Sequence, residues 1–350
     1  MSVNMTDILL AKPILPDGWL DCSVGEPHVV RENLIKVFDL SVYELPQVPH
    51  LYEYPEPMGY RPLVKLLEDK HHAPVIITNG AKQGLGACFF ALKQMGKEDV
   101  LMRQPYWALI PPLAKMHGLD CVFDDASNFS GNVPAADSVL CLSPNNPDGW
   151  TISNDGMKAM AQTLHDEGIP FIHDAAYFTP CYIPDSTIFP VFGDAQIYSI
   201  SKMLGLSGLR IGYVVCHSAE FYKWILHYME NMTVGVSTVS QVFLYDLMRR
   251  MNAYPTLTQQ FEGQSFLDLQ QSKKIVKQID PQVLEVPTDI EQTPGMFLWA
   301  KVGPKADFNK SKVNVIAGDL FGAPGFVRMN LAFQQDQMQE IVNRLNSVLE

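Results

Sequence analysis

The sequence predicts an α/β fold, a layered large domain with a smaller domain beside it, and three observations carry that prediction. From about residue 61 to residue 216, short strand-like runs alternate with helical stretches, the order expected of helices layered on a sheet. The runs are continuous apolar, β-rich blocks closed by Gly, Pro or Asp, which suits strands buried on both faces. At 350 residues the chain can bury one sizeable core and still supply a second, smaller unit.

Along the chain the predicted strands are 75–78, 100–102, 121–123, 139–142, 171–173, 197–199 and 212–215. The turn after the first, Thr78-Asn79-Gly80-Ala81-Lys82-Gln83-Gly84, opens a helix marked by Leu85, Phe89 and Leu92. Beyond Met251 the composition shifts, and residues 257–279 read as a long polar-rich helix bridging to the second domain. At the end, Met338, Ile341, Val342, Leu345, Val348 and Leu349 keep three- and four-residue spacing, the stripe of an amphipathic helix. No internal repeat or low-complexity tract interrupts this order.

Composition narrows the classes of function. A hydrophobic fraction of 47% and a charged fraction of 18% are those of an ordinary globular protein. The formal charge of −12 argues against nucleic acid or a membrane surface as a partner. An anionic ligand must then be held by local cations and helix ends. The six cysteines are scattered without a C-x-x-C pair, so neither a zinc site nor a disulfide framework is expected, and no metal is assigned. The first residues lack a basic leader pattern, and no run reaches the roughly 18 apolar residues of a membrane span. A cytoplasmic, reducing setting is the expectation.

Lys202 is the most informative residue. It closes a short apolar strand among small residues, with Arg210 just past a glycine-rich turn. A lysine amine is nucleophilic only when neutral, and burial beside another cation lowers its pKa. Such a lysine can hold a carbonyl cofactor as an imine, while the arginine grips an anion that the cofactor carries. For this run alone, an exposed lysine on a glycine-broken loop is the plain alternative. Asn146, Asp174 and Lys202 all lie at or just past strand ends, where ligands bind in open α/β sheets. Asp174 ends a buried strand, and a carboxylate at that depth needs a charged partner to stay ionised; a strand-end cap is the other reading. The 78–84 turn offers helix N-terminal amides to a phosphate, and the 143–149 run is good turn chemistry in its own right. Tyr106 has the flat area to stack on a ring or to pack in a core. His173 is expected on the opposite face of its strand.

The run Ser199-Ile200-Ser201-Lys202-Met203-Leu204-Gly205-Leu206-Ser207-Gly208-Leu209-Arg210-Ile211-Gly212-Tyr213 fills every fixed position of S-x-S-K-x-x-G-L-x-G-x-R-x-G-Y. It resembles the lysine segment of the class I/II aminotransferases, pyridoxal-phosphate enzymes of fold type I in the aspartate aminotransferase superfamily. Further matches follow in the family's order from Gly25 to Arg328: the 78–83 turn, Asn146-Pro147-Asp148-Gly149, Asp174-Ala175-Ala176-Tyr177 and the strand 294–299, a framework element. The resemblance implies a large domain with a mostly parallel central sheet plus a smaller α+β domain. Residues 1–40 would contribute to the small domain, 41–255 form the large cofactor-binding domain, and 256–350 the C-terminal small domain.

The same resemblance implies pyridoxal 5′-phosphate as cofactor and assigns roles. Lys202 would form the internal aldimine and shuttle the substrate proton. Asp174 would hold the pyridinium nitrogen, while Tyr177 and Asn146 bond the phenolic oxygen. Gly80, Ala81 and Lys82 would bind the phosphate through their backbone, with Ser199 and Arg210. Tyr106 would stack on the ring, with Trp107 as support. Gly25, Asn146 and Arg328 would take the substrate carboxylate. Tyr54 would reach the phosphate of the neighbouring subunit, which makes a homodimer with a shared active site the expected assembly; Tyr52 is close enough to take that role instead. The implied reaction moves the amino group of an L-amino acid to a 2-oxo acid through a pyridoxamine phosphate intermediate. The same constellation also serves C–S β-lyases and other Cα chemistry. A non-catalytic regulator would bring a basic DNA-binding module, which this acidic chain does not display. Side-chain selectivity is expected from loops near Val24, His28 and Tyr52 and from the partner subunit's stretch around residues 236–238. One departure from the family pattern is Asp148, where threonine is frequent.

Overall fold

Seven strands make the central sheet, and each falls where the apolar runs predict it. After a short β1 (Leu20–Asp21) they are β2 (Val75–Thr78), β3 (Asp99–Arg103), β4 (Asp120–Asp124), β5 (Val139–Leu142), β6 (Phe171–Asp174), β7 (Ala195–Ser199) and β8 (Gly212–Cys216). This computed structural model describes residues 15–40, 48, 51, 53–124, 136–183 and 192–350. The spatial order is β2-β8-β7-β6-β5-β3-β4. β7, β6, β5, β3 and β4 pair in parallel, and β8 runs antiparallel between β7 and β2. Every residue of β2, β5, β6, β7 and β8 is buried. Covered faces explain why these strands read as unbroken apolar blocks. β4, at the edge, is the mostly exposed one.

Parallel pairing aligns the carboxyl ends of β5, β6 and β7 on one side of the sheet. Leu142 is the register partner of Asp174, and Asp174 that of Ile197. The residues that follow these ends therefore converge, although they are far apart in sequence. The helix after β2, Ala81–Gln94, starts at Gly80, whose φ of 76° lies in the left-handed region, and no side chain caps it. A Cβ on Gly212 would sit 2.5 Å from the Ala81 nitrogen, so only glycine lets β8 run beneath that helix start.

A second sheet lies in the C-terminal third. It comprises β9 (Leu284–Glu285), β10 (Phe297–Val302), β12 (Ile316–Ala317) and β13 (Phe326–Asn330), all antiparallel, in the order β12-β13-β10-β9. β1 pairs in parallel with β11 (Val313–Asn314), which joins the N-terminal segment to this region. The long polar-rich helix spans Pro255–Val276, with proline at its first turn, where the missing N–H costs nothing. It packs on the helices His28–Phe38 and Gln335–Asn346. Met338, Ile341, Val342 and Leu345 form the buried stripe of the last helix. Val348 and Leu349, expected on the same stripe, fall in a separate 3₁₀ turn, Ser347–Leu349, and are half-buried.

Candidate active site

A cavity of about 570 Å³ opens beyond the carboxyl ends of β5, β6 and β7, walled on its far side by the segment around Gly25 and by residues of β11 to β13. Among the described residues no helix is long and apolar enough to cross a membrane, and no cluster of three or more His, Cys, Asp or Glu is grouped to hold a metal.

Lys202 enters the cavity from the single-turn helix Ile200–Met203, which follows β7 directly. Its Nζ donates to the Gly25 carbonyl, and Tyr182 Oη donates to its backbone carbonyl at 2.9 Å. Burial, reinforced by Arg328 and Arg210 and opposed by Glu26, pulls its pKa down to about 8. About a tenth of the amine is then neutral at pH 7, far more than for a free lysine. Gly25 matters at this contact: a Cβ there would lie 3.1 Å from the Phe297 ring and 3.6 Å from Lys202 Nζ.

Asp174 ends β6 with its side chain in the cavity wall, 3% exposed. Oδ1 accepts from the Ala176 N–H at 3.0 Å, and among the described residues no cation pairs with it. Burial raises its pKa to about 7 against the smaller opposing pull of the Ala176 bond. A deep carboxylate without a counter-charge is costly unless a ligand supplies one. His173, its neighbour, turns the other way, its ring nitrogen 3.2 Å from the Ser143 carbonyl.

Arg328, on β13, is the opposite case. It is a buried guanidinium whose two bonds go to neutral acceptors, Asn146 Oδ1 at 3.0 Å and the Ser23 carbonyl at 2.7 Å. Among the described residues its Nε has no partner. The guanidinium carbon lies 4.3 Å from the Phe297 ring centroid and 5.2 Å from that of Phe321, so two aromatic faces hold it. Burial lowers its pKa to about 10, with Tyr177 opposing. Asn146 completes the chain by donating from Nδ2 to Tyr177 Oη at 3.1 Å. Burial pushes the Tyr177 phenol upward, against Arg328 and Asn146.

At the other end of the cavity Gly80, Ala81, Lys82, Ser199 and Arg210 line the wall together. A Cβ on Gly80 would be 2.8 Å from Arg210 Nη2, so the glycine admits the guanidinium beside the helix start. Arg210 has φ 56° and donates from Nη1 to the Ser207 carbonyl at 2.9 Å. The Gly80 N–H is taken by the Thr78 carbonyl at 2.8 Å, which leaves the amides of Ala81 and Lys82 at the helix start, beside the arginine, as the anion cradle. Ser201 and Ser207 also line this end. The sequence reading passed over both, although they sit inside the lysine motif it quoted.

The aromatic expectation needs correction. Tyr106 does not line the cavity; its ring stacks on Phe123 of β4, with centroids 4.7 Å apart. Trp107 lines it instead. Adjacent residues of a chain leaving a strand face different sides, and Phe123 holds Tyr106 on the far one. Tyr54 is 91% exposed and stands outside this chain's cavity; Tyr52 lies outside the described residues. Of the residues expected to set selectivity, Val24 lines the cavity, whereas His28 stacks on Phe333; residues 236–238, expected to act on the partner subunit's site, do not line this chain's own cavity.

The donor set fits one kind of ligand. A phosphate-bearing ring with a basic nitrogen and a carbonyl would meet the anion cradle at one end, the unpaired Asp174 on the nitrogen and the Lys202 amine at the carbonyl. Arg328, cationic and unopposed, would remain for a carboxylate.

Comparison with known proteins agrees with this geometry. The family model described as aminotransferase class I and II matches residues 47–345. A probable aspartate/prephenate aminotransferase of Aquifex aeolicus is 25% identical over 79% of this chain and 76% of that protein. An aspartate aminotransferase of Thermotoga maritima is 24% identical over 97% of this chain and 94% of its own. Among solved structures, a double mutant of the Thermus thermophilus aspartate aminotransferase superposes with a TM-score of 0.75 at 18% identity, covering 94% of this chain and 91% of that one. The fold is that of the fold type I aminotransferases, and with 299 residues inside the match the chain belongs to the class I and II aminotransferase family.

Proposed function

We propose that this protein is a pyridoxal-phosphate-dependent aminotransferase acting on an L-amino acid and a 2-oxo acid. The observation that carries the reading is one cavity holding a buried lysine with a depressed pKa, a buried acid without a cation and a buried arginine without an anion. The relatives named above are all aminotransferases, and the elimination alternative is not favoured.

Bound pyridoxal phosphate supplies the carbonyl that takes up an amine and a ring that draws electron density from the substrate Cα. The Gly80-Ala81-Lys82 turn, Ser199 and Arg210 would hold the phosphate, and Trp107 would line the wall beside the ring. Asp174 stays ionised against a protonated ring nitrogen, which supplies the counter-charge its site lacks. Tyr177 and Asn146 present their polar groups to the phenolic oxygen. Arg328, with Asn146 and the Gly25 backbone, orients the substrate carboxylate. Lys202 Nζ would hold the cofactor carbonyl and, in its neutral form, would take the proton from the substrate Cα; the pKa of about 8 brings that form closer to neutral pH than in a free lysine. The apolar walls of Trp107, Leu142 and Phe321 exclude water from that transfer.

A homodimer accompanies this reading. Tyr54 is exposed, and Pro55 and Glu56 pack against Gly235, beside the exposed Met232 and Val234. A second copy covering that patch would bring Tyr54 to its partner's phosphate; a monomer by light scattering would remove this part. The division into 1–40 with 256–350 around 41–255 belongs to the same proposal and is supported by the pairing of β1 with β11.

The test is an absorbance spectrum of the protein with pyridoxal phosphate, followed by pooled amino acids without any oxo acid. Conversion of the cofactor band to that of its amine form, reversed by a 2-oxo acid, is the expected result. Release of pyruvate or ammonia instead would replace transamination by elimination.

A further inference from the structure

The turn that carries Asn146 departs from the family pattern at Asp148, and the structure gives that residue a specific task. Asp148 Oδ1 accepts from Asn145 Nδ2 at 2.7 Å and from the Trp150 N–H at 3.2 Å. Its Oδ2 lies 2.8 Å from Arg103 Nη1, an ion pair in distance although not aligned as a hydrogen bond. The Arg103 and Asp148 side chains are only 10% and 15% exposed, and the guanidinium lies 4.8 Å from the Trp150 ring centroid. Asn145 Nδ2 donates in addition to the Pro105 carbonyl at 2.9 Å, two residues before Trp107. The carboxylate thus ties the loop after β5, which holds Asn146, to the end of β3, and it anchors the Asn145 amide that reaches into the following loop, which holds Trp107.

The connection is stiff for a physical reason. Exposed ion pairs contribute little because water competes for both partners. Here both charges are largely withdrawn from water, and two hydrogen-bond donors and a guanidinium converge on one acid. Removing either charge leaves the other buried and unpaired. Both loops face the cavity, so a shift in their spacing displaces the ring-facing tryptophan and the carboxylate-facing asparagine together.

We propose that Asp148, paired with Arg103, is a positioning residue that sets the places of Asn146 and Trp107 relative to each other, without touching cofactor or substrate itself. This rests on the aminotransferase reading of the cavity. In the cofactor-loaded protein, Asp148→Ala raises KM for the amino donor about tenfold, the loss of roughly one well-placed hydrogen bond, and changes kcat less. It also moves the pH midpoint of the cofactor's visible absorption by about half a unit or more, because Asn146 no longer meets the phenolic oxygen squarely. In the cofactor-free protein, backbone amides of 104–107 and 143–150 exchange hydrogen faster. Asp148→Asn, which keeps the Oδ1 acceptor, falls between wild type and Ala and carries the test if the Ala variant does not fold. Arg103→Ala gives the same pattern, and the double variant is no worse than the more damaging single, since each cuts the same connection.

A lowered melting temperature with KM, midpoint and exchange at 104–107 all unchanged would reduce the pair to a stability element and overturn the proposal. Additive effects in the double variant would do the same. A wild-type protein that takes up no pyridoxal phosphate would instead fail the aminotransferase reading. The exchange measurement on the cofactor-free protein then still decides whether Asp148 couples the two loops.

Discussion

Arg328 offers the most direct quantitative test of the site. Its guanidinium gives two hydrogen bonds to neutral acceptors and leaves Nε without a partner. A substrate carboxylate would accept two charged bonds, each contributing about 1.5–3 kcal/mol. The bonds to Asn146 and Ser23 are given up or shared in exchange, so the net gain is close to one charged bond. About 1.5–3 kcal/mol corresponds to roughly 10- to 150-fold in affinity. Arg328→Ala is therefore expected to raise KM for the amino acid by about that factor, while the cofactor absorbance persists, because no cofactor-binding group is removed. Arg328→Lys keeps the charge but not the planar fork, and falls between the two. The assay is a single-turnover titration of the loaded protein with amino acid, alongside the same titration with an amine lacking the carboxylate. The amine is expected to react equally with wild type and variant. An unchanged KM in Arg328→Ala, or an equal loss for acid and amine, would refute the assignment.

Other outcomes follow from the same geometry. Burial and two neighbouring cations hold Lys202 at about 8, so cofactor capture should accelerate with rising pH up to that region and level above it. Lys202→Ala should form no covalent visible complex, and a capture rate that keeps rising about tenfold per pH unit beyond about pH 9 would count against the depressed amine. Asp174 is raised from 3.8 to about 7, so the folded state binds its proton more tightly than the unfolded state between those values. The cofactor-free protein should then lose stability as pH rises through that window, by a few kcal/mol at most, and Asp174→Asn should remove that slope. Denaturant melts at several pH values read the difference directly. Trp107→Ala is expected to raise the cofactor Kd about 2- to 10-fold, the value of one aromatic stack, whereas Tyr106→Leu should leave it unchanged; the reverse pattern would restore Tyr106.

Much of the molecule was legible in advance because the informative patterns are local. Each sheet strand is a short apolar block closed by Gly, Pro or Asp, and the alternation with helices needs no knowledge of distant contacts. The lysine run was legible for the same reason, since Ser199, Lys202, Arg210 and Gly212 lie within 14 residues. Tyr106 was misplaced because its direction depends on Phe123, a residue of the next strand. Ser201 and Ser207 went unnoticed because nothing in a serine's neighbours says which way its hydroxyl points. Asp148 read as an incidental departure from a turn motif, because its partner Arg103 lies 45 residues earlier.

By itself, then, the sequence determined where strands and helices run, which family the motifs resemble, and which residues stand at strand ends. The tertiary structure alone decided that Asp174 lacks a cation, that Arg328 lacks an anion between its two phenylalanines, and that Trp107 rather than Tyr106 lines the cavity. It also decided that one carboxylate braces two loops. The physical reason is common to all of these. Burial, charge separation and side-chain direction depend on atoms that are close in space and far apart along the chain, and parallel strands bring such residues together at one end of a sheet.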